Sequence, residues 1–182
     1  LHWKFDEESG STATDSSGNS RDGTLTNMTD DDWVTGKLSN GLDFDGSNDY
    51  VEGPSSPALG ENFTWTRWFK PAGVSGNRLI ISRYSTNKIY LRQNGDDIFF
   101  YHTVSGTKYA GSVNILSTGE WYFLAGKYDN SAATTKLMLR WAEVGTHTSV
   151  QSENYTTSQP SAHDFTSTAE TLRLGWTSNP FS

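Results

Sequence analysis

Oxygen-bearing side chains near the start of the chain are spaced in a way that could bind a cation. Asp15, Asn19 and Asp22 lie within eight residues of one another and lead into a glycine, and Asp45 lies in a second acidic segment. Calcium takes about six to eight oxygen ligands in proteins. The pattern predicts a Ca²⁺ site with Asp15, Asn19 and Asp45 as side-chain ligands. The alternative is turn formation, because Asp and Asn next to Gly hydrogen-bond to their own backbone.

Two tyrosines and an arginine on adjacent predicted strands form a second candidate site. Alternate residues of a strand face opposite sides, so Tyr90 and Arg92 point away from the side that Ile89 and Leu91 face. Tyr101 has the matching parity in the next strand. Aromatic faces beside polar groups are typical of sugar-binding sites, so Tyr90, Arg92 and Tyr101 are predicted to bind a ligand. The alternative is that loops or a neighbouring chain cover this face. Further candidates for exposed aromatic anchors are Trp33, Trp68 and Trp141.

No catalytic arrangement is evident in the sequence. Retaining glycosidases place two carboxylates about 5–5.5 Å apart, and acidic residues at alternate positions of one strand are the usual source. The chain has no such segment, and it has no G-x-S-x-G, H-E-x-x-H or P-loop motif. The four histidines are scattered. We therefore expect a protein that is not an enzyme.

Composition narrows the classes of partner. The chain has 14 Lys+Arg against 21 Asp+Glu, which gives a formal net charge of −7. With no basic stripe for phosphates, neither nucleic acid nor an anionic membrane surface is an expected partner. No apolar run approaches the length of a membrane span, so membrane insertion is not expected either. The chain lacks Cys, which excludes disulfides and thiolate metal sites. Glycans and neighbouring protein chains remain as partners.

Turn residues recur at about the 8–12-residue spacing of β-sandwiches, and helical patterning is nearly absent. The sequence therefore predicts an all-β fold of two packed antiparallel sheets. The predicted strands are Leu1–Phe5, Gly23–Thr26, Leu42–Asp45, Tyr50–Val51, Asn62–Lys70, Arg78–Tyr84, Lys88–Gln93, Asp97–Thr103, Glu120–Asp129, Thr134–Trp141 and Thr171–Trp176.

Arg67 is an unexpected residue within the predicted core. It shares its strand parity with Phe63, Trp65 and Phe69. A lone buried charge is too costly to persist without partners. We therefore expect its guanidinium to be buried beside a carboxylate or backbone carbonyl groups.

A set of segments occurs in an order that has a parallel in a known family. The segments are Trp3–Gly10, Thr14–Asn19, Asp22–Leu25, Leu42–Val51, Phe63–Pro71 and Trp121–Asp129. Together they resemble the laminin-G-like, concanavalin A-like lectin/glucanase family of jelly-roll domains. The resemblance implies one concanavalin A-like jelly-roll domain over residues 1–182 and an extracellular or surface-exposed location. It also implies a structural Ca²⁺ near the N-terminal loops, often completed by a ligand from the final strand.

One departure from the family concerns that final strand. Family members end with a strand beside the N-terminal strand, whereas this chain ends at Ser182, where that strand would begin. The domain is therefore expected to lack it, which leaves an unpaired edge on the predicted strand Leu1–Phe5. Exposed edges pair readily with other segments. We expect this one to be filled either by the residues after Trp176 or by another chain, with homo-assembly as a possible result.

Two functions of different classes are compatible with these features. The first is a non-catalytic glycan-binding module of a larger extracellular or surface protein. The second is a structural domain of a surface layer, fibre or virion that packs against neighbouring chains. A polysaccharide-degrading enzyme is a minor alternative.

Overall fold

In a computed structural model, the fold is described for residues 1–54, 62–83, 89–103, 108–112, 114–129, 131, 137–145, 151–153 and 171–175. These residues form β-strands and one short 3₁₀ helix, Asp30–Asp32. The described part of the chain contains no helix that is long and apolar enough to cross a membrane. The expected all-β class is therefore confirmed.

The strands are numbered β1 to β14 in chain order. Their bounds are β1 Thr12–Ala13, β2 Gly23–Thr26, β3 Trp33–Thr35, β4 Asn40–Leu42, β5 Tyr50–Glu52, β6 Asn62–Phe69, β7 Asn77–Arg83, β8 Ile89–Asn94, β9 Asp97–His102, β10 Lys108–Ser112, β11 Tyr122–Asp129, β12 Leu137–Glu143, β13 Gln151–Glu153 and β14 Leu172–Leu174.

Two antiparallel sheets make up the jelly-roll sandwich. One is eight-stranded, in the order β1-β2-β5-β14-β7-β8-β9-β10, and the other is four-stranded, in the order β13-β12-β11-β6. Strands β3 and β4 form a separate hairpin. The late strand β14 lies between β5 and β7, so the larger sheet combines strands from distant parts of the sequence.

Strict alternation of side chains explains how the two sheets enclose the core. In β11, every second residue from Tyr122 to Tyr128 is buried, Gly126 included, while the residues between them are more exposed. Phe100 of β9 is fully buried in the same cluster. Gly126 allows this packing, because a Cβ at residue 126 would lie 3.0 Å from Cδ2 of Phe100. The close approach of the two sheets therefore depends on a position without a side chain.

Most long strands agree with the sequence prediction. Gly23–Thr26 is confirmed at both ends, and the long strand predicted over residues 62–70 is found as β6. The two predicted hairpin pairs are found as β7–β8 and β11–β12. The strand predicted at Leu42–Asp45 instead occupies Asn40–Leu42. The short strands β1, β3, β10 and β13 were not predicted, because lengths of two to five residues carry little pattern.

The predicted strand Leu1–Phe5 is wrong. Only Trp3 makes a bridge, to Asp15, and Phe5 has a φ of 59°, which no strand residue adopts. The backbone of His2 is satisfied nearby, because its carbonyl accepts from Ser16 N at 2.9 Å. The expected unpaired edge, and homo-assembly through it, therefore lose their basis. Residues 177–182, which were expected to fill that edge, lie outside the described residues.

Candidate functional site

Strands β8, β9 and β10 gather a group of aromatic side chains around one arginine on the outer face of the eight-stranded sheet. In the register of these strands, Tyr90 lies opposite Tyr101, Arg92 opposite Phe99, and Tyr101 opposite Tyr109. We call these five residues the outer aromatic cluster. Tyr90 and Tyr101 pack in a group separate from the main core, with Phe99 and Tyr109 against them. The structure thus brings together all three residues predicted to bind a ligand.

Ring stacking and a hydrogen bond hold the cluster in one arrangement. Tyr90 and Tyr101 are stacked, with ring centroids 4.8 Å apart and planes at 20°. Cζ of Arg92 lies 4.8 Å from the centroid of Tyr101, and Nη2 donates to the Tyr101 hydroxyl at 3.0 Å. Phe99 meets Tyr109 edge-on, with centroids 5.4 Å apart. Because cation–π and edge-to-face contacts both favour fixed orientations, the guanidinium is positioned in advance of any ligand.

Arg92 is the charged group of the cluster at neutral pH. Burial raises the pKa of Tyr90 to about 12, although the charge of Arg92 opposes the rise. Burial also raises the pKa of Tyr101, again against the effect of Arg92. Both phenols therefore stay neutral. Nε of Arg92 is enclosed and has no hydrogen-bond acceptor among the residues that the structure describes.

The cluster is less open than the sequence suggested. Tyr90 is 5% exposed and Tyr101 is 9% exposed, so neither ring offers a free stacking face. Arg92, Phe99 and Tyr109 are half-buried and form the accessible part. Sequence reasoning missed Tyr109, which belongs to the unpredicted strand β10. The five-residue strand β10 carries a single aromatic residue and no alternation that could have identified it.

The three tryptophans considered as exposed anchors occupy different positions. Trp141 is buried in the core, so that prediction is wrong; it shares its parity in β12 with Leu137 and Leu139, which face inward. Trp33 is half-buried and donates from Nε1 to the carbonyl of Gly10 at 3.0 Å. Trp68 is half-buried on the outer face of the four-stranded sheet.

Asp15 is buried, and its carboxylate is already surrounded by donors. Oδ1 accepts from His2 N at 2.8 Å and Ser17 N at 3.0 Å; Oδ2 accepts from Ser17 Oγ at 2.8 Å and Arg21 N at 3.1 Å. Burial opposes ionisation, but these bonds outweigh it and hold the pKa of Asp15 well below its usual value. Asn19 is exposed, and its Nδ2 donates to Ser17 Oγ at 2.9 Å. The contacts of Asp15 and Asn19 are thus those of the turn-forming alternative.

Asp45 also organises a turn. Its Oδ1 accepts from Ser47 N at 2.7 Å and Asn48 N at 3.2 Å, and these bonds lower its pKa. Its own amide donates to Oδ2 of the buried Asp49 at 2.9 Å. Across the described ranges, no group of three or more His, Asp or Glu is arranged to hold a metal ion. Calcium binding at Asp15, Asn19 and Asp45 stays a prediction, which calorimetric titration with Ca²⁺ tests.

The fold is a jelly-roll sandwich with an aromatic–arginine cluster on the outer face of its larger sheet. A family model of the Concanavalin A-like lectin/glucanases superfamily matches residues 45–175. The chain belongs to this superfamily, as the sequence resemblance indicated. A search of curated protein sequences gives no match.

Solved structures with a similar fold include binding domains of botulinum neurotoxin. The botulinum neurotoxin serotype D binding domain has a TM-score of 0.60 at 15% identity; the alignment covers 97% of this chain and 44% of that one. A structure of the receptor binding domain of botulinum neurotoxin D has a TM-score of 0.55 at 14% identity, covering 97% and 46%. The chain thus spans less than half the length of either domain, and at this identity the likeness concerns the fold.

Proposed function

We propose that this chain is a non-catalytic binding module of a larger extracellular or surface protein, and that its ligand is a glycan held at the outer aromatic cluster. The observation that carries the proposal is the placement of Arg92. Its guanidinium is fixed on Tyr101 while the rims of Phe99 and Tyr109 remain accessible beside it. Membership of a superfamily whose description includes lectins, and similarity to domains described as binding domains, support the same class of function.

The chemistry of the accessible rim suits a sugar. The C–H groups of a pyranose can pack on the exposed parts of Phe99 and Tyr109. Arg92 donates hydrogen bonds in a fixed direction, and sugar hydroxyls accept them. Few polar groups on an otherwise apolar surface are typical of sites that bind small polar ligands with defined orientation.

The same five residues are poorly suited to catalysis of glycoside cleavage. Hydrolysis with two acidic residues needs a carboxylic acid and a carboxylate on either side of the bond, and the outer aromatic cluster contains none. A tyrosine with a pKa of about 12, such as Tyr90, is a weak base near neutral pH. The site can bind and orient a ligand, and we assign it no bond-breaking step.

A glycan array with matched variants tests the proposal. We expect the purified chain to bind a defined subset of glycans, and Arg92→Gln and Tyr109→Ala to lose that signal. Lys4→Gln removes an exposed positive charge far along the chain from the cluster and is expected to retain it. Circular dichroism and thermal unfolding establish that each variant is folded.

Two results would contradict the proposal. A blank across a broad panel would remove the glycan as ligand and favour the structural domain of an assembly. Binding that persists in both Arg92→Gln and Tyr109→Ala would show that the glycan site is elsewhere on the chain.

A further inference from the structure

The outer face of the four-stranded sheet carries a second set of aromatic and cationic side chains. In its register, Trp68 of β6 lies opposite Phe123 of β11, and one row further along the sheet Thr66 lies opposite Ala125. Arg140 of β12 continues this second row, because it lies opposite Ala125 on the other side. We call these five residues the Trp68 face. It lies on the four-stranded sheet, whereas the outer aromatic cluster lies on the eight-stranded sheet.

The Trp68 face is open to solvent. Thr66 and Arg140 are exposed, and Trp68, Phe123 and Ala125 are half-buried. The rings of Trp68 and Phe123 pack at 64° with centroids 5.2 Å apart. This contact holds the indole in place against its neighbour. In the register, the small side chain of Ala125 lies between the row of the aromatic pair and Arg140.

Three cationic side chains lie on this side of an acidic protein, and one of them is paired with a carboxylate. Arg140 is exposed; Nε donates a weak bond to Sδ of Met138 at 3.2 Å, and no carboxylate pairs with it among the described residues. Lys127 is also exposed on this face and pairs with Asp129 at 2.9 Å. Lys70, just beyond β6, lies over the ring of Trp121 at 5.8 Å. These cations contrast with the formal net charge of −7 of the whole chain.

We propose that the Trp68 face is a second binding site, and that its ligand is a polysaccharide bearing carboxylate groups. A sugar ring packs against Trp68, and a carboxylate of a neighbouring sugar accepts from the guanidinium of Arg140 in the paired geometry that arginine favours. Strand spacing and rise place the backbones of these two residues about 12 Å apart. That span fits an oligosaccharide segment and exceeds a single sugar.

Affinity electrophoresis with a charged and a neutral polymer tests this site. Polygalacturonate and dextran are the probes, and a non-binding acidic protein is the mobility reference. We expect polygalacturonate to retard the wild-type chain, dextran to leave it unretarded, and added NaCl to weaken the retardation through screening. Trp68→Ala and Arg140→Gln are each expected to weaken binding about tenfold, since a tenfold change needs only about 1.4 kcal/mol.

Two control variants distinguish binding at the Trp68 face from a general effect of charge and from binding at the outer aromatic cluster. Lys4→Gln removes the same charge as Arg140→Gln from another exposed position and is expected to leave retardation unchanged. Arg92→Gln alters the outer aromatic cluster and is also expected to leave it unchanged. The inference shares the glycan class with the proposed function, but either can fail alone, because each site has its own variants.

Several outcomes would overturn the inference. One is a wild-type chain that polygalacturonate does not retard, and another is equal retardation by dextran that Trp68→Ala abolishes. Full retardation of both Trp68→Ala and Arg140→Gln would place the polymer elsewhere. Sedimentation that shows self-association abolished by Arg140→Gln, with no polymer binding, would make a second copy of the chain the occupant of this face.

Discussion

The guanidinium of Arg67 donates from Nη1 to the backbone carbonyl of Ile80 at 3.1 Å and thereby joins the two sheets. Arg67 belongs to β6, and Ile80 lies at a shift of register between Leu79 and Ile81 in β7. The same carbonyl accepts from Gly175 N at 3.2 Å. The expected backbone partner of Arg67 is therefore confirmed, although the residue is half-buried and not fully enclosed. Burial lowers the pKa of Arg67 to about 10, which leaves it charged at neutral pH.

Removing this guanidinium should destabilise the protein clearly. Arg67→Ala loses the bond to Ile80 and the packing over the ring of Phe44, whose centroid lies 5.2 Å from Cζ. We expect urea unfolding to show a loss of about 2–4 kcal/mol. Arg140→Ala removes an exposed arginine and should stay within about 0.5 kcal/mol of wild type. Equal effects of the two substitutions would contradict the bridging role of Arg67.

Gly175 should tolerate no side chain. It has a φ of 70°, and an added Cβ would clash with the ring of Phe44 and lie 3.0 Å from the Asp49 carbonyl oxygen. Gly18 has a φ of 80° but open space around it, so Gly18→Ala measures backbone strain alone. We expect Gly18→Ala to cost about 1–2 kcal/mol and Gly175→Ala at least about 2 kcal/mol more. The prediction that Gly175 tolerates no side chain is contradicted if Gly175→Ala and Gly18→Ala unfold at the same urea concentration.

Asp49 should destabilise the fold when it is ionised. Burial raises its pKa, with a further rise from the charges of Asp45 and Asp32 and an opposing bond from Asp45 N. The pKa of Asp49 is higher in the folded state than in the unfolded state. The protonated carboxyl therefore stabilises the fold at low pH, and this stabilisation is lost as the pH rises through the folded-state pKa. Asp49→Asn keeps an acceptor for Asp45 N without the charge. We expect a Tm about 2–4 °C higher at pH 7.

The Tm advantage of Asp49→Asn should disappear near pH 3, where the wild-type carboxyl is protonated. Asp43→Asn alters an exposed carboxylate nearby and should show no comparable pH dependence. A lower Tm for Asp49→Asn at pH 7 would indicate that the ionised carboxylate is needed.

Asp15 should show the opposite dependence on pH. Its folded-state pKa is lowered, so its stabilisation is complete above about pH 4 and is lost as pH falls through the folded value. Asp15→Asn replaces one carboxylate oxygen with an NH₂ group. That group faces N–H and O–H donors from which the oxygen accepts hydrogen bonds in the wild type. We expect its Tm to fall by more than about 5 °C at pH 7, with the gap narrowing in acid. Asp31→Asn, at an exposed acidic position, is the matched control. A Tm difference between wild type and Asp15→Asn that stays constant with pH would show that the charge of Asp15 is not what stabilises the fold.

The outer aromatic cluster shows what alternation in a sequence can predict. Tyr90, Arg92 and Tyr101 were placed on one face because side chains in a strand alternate strictly, and the register confirms this. Alternation carries no information on what lies above a face, so the burial of Tyr90 and Tyr101 was not predictable. The identity of the partner strand is equally hidden, which is why Tyr109 was missed.

The errors near the N-terminus have a different cause. Leu1, Trp3 and Phe5 alternate as in a strand, but the positive φ of Phe5 ends any extended run. The chain there is fixed by Asp15, whose carboxylate binds the amide of His2 at 2.8 Å. A contact between residues thirteen positions apart, made by one side chain, leaves no periodic signal. The bulge that exposes the Ile80 carbonyl to Arg67 likewise leaves no periodic signal in the sequence.

The position of β14 in the middle of the larger sheet has a consequence for synthesis. Until residues 172–174 leave the ribosome, the eight-stranded sheet can form only as two half-sheets, β1-β2-β5 and β7-β8-β9-β10, with β5 and β7 as open inner edges. Open edges attract other strands, and closing a distant strand into a central place is slow. The larger sheet therefore closes late, and the edges of β5 and β7 stay open to pairing with other strands until β14 has been synthesised.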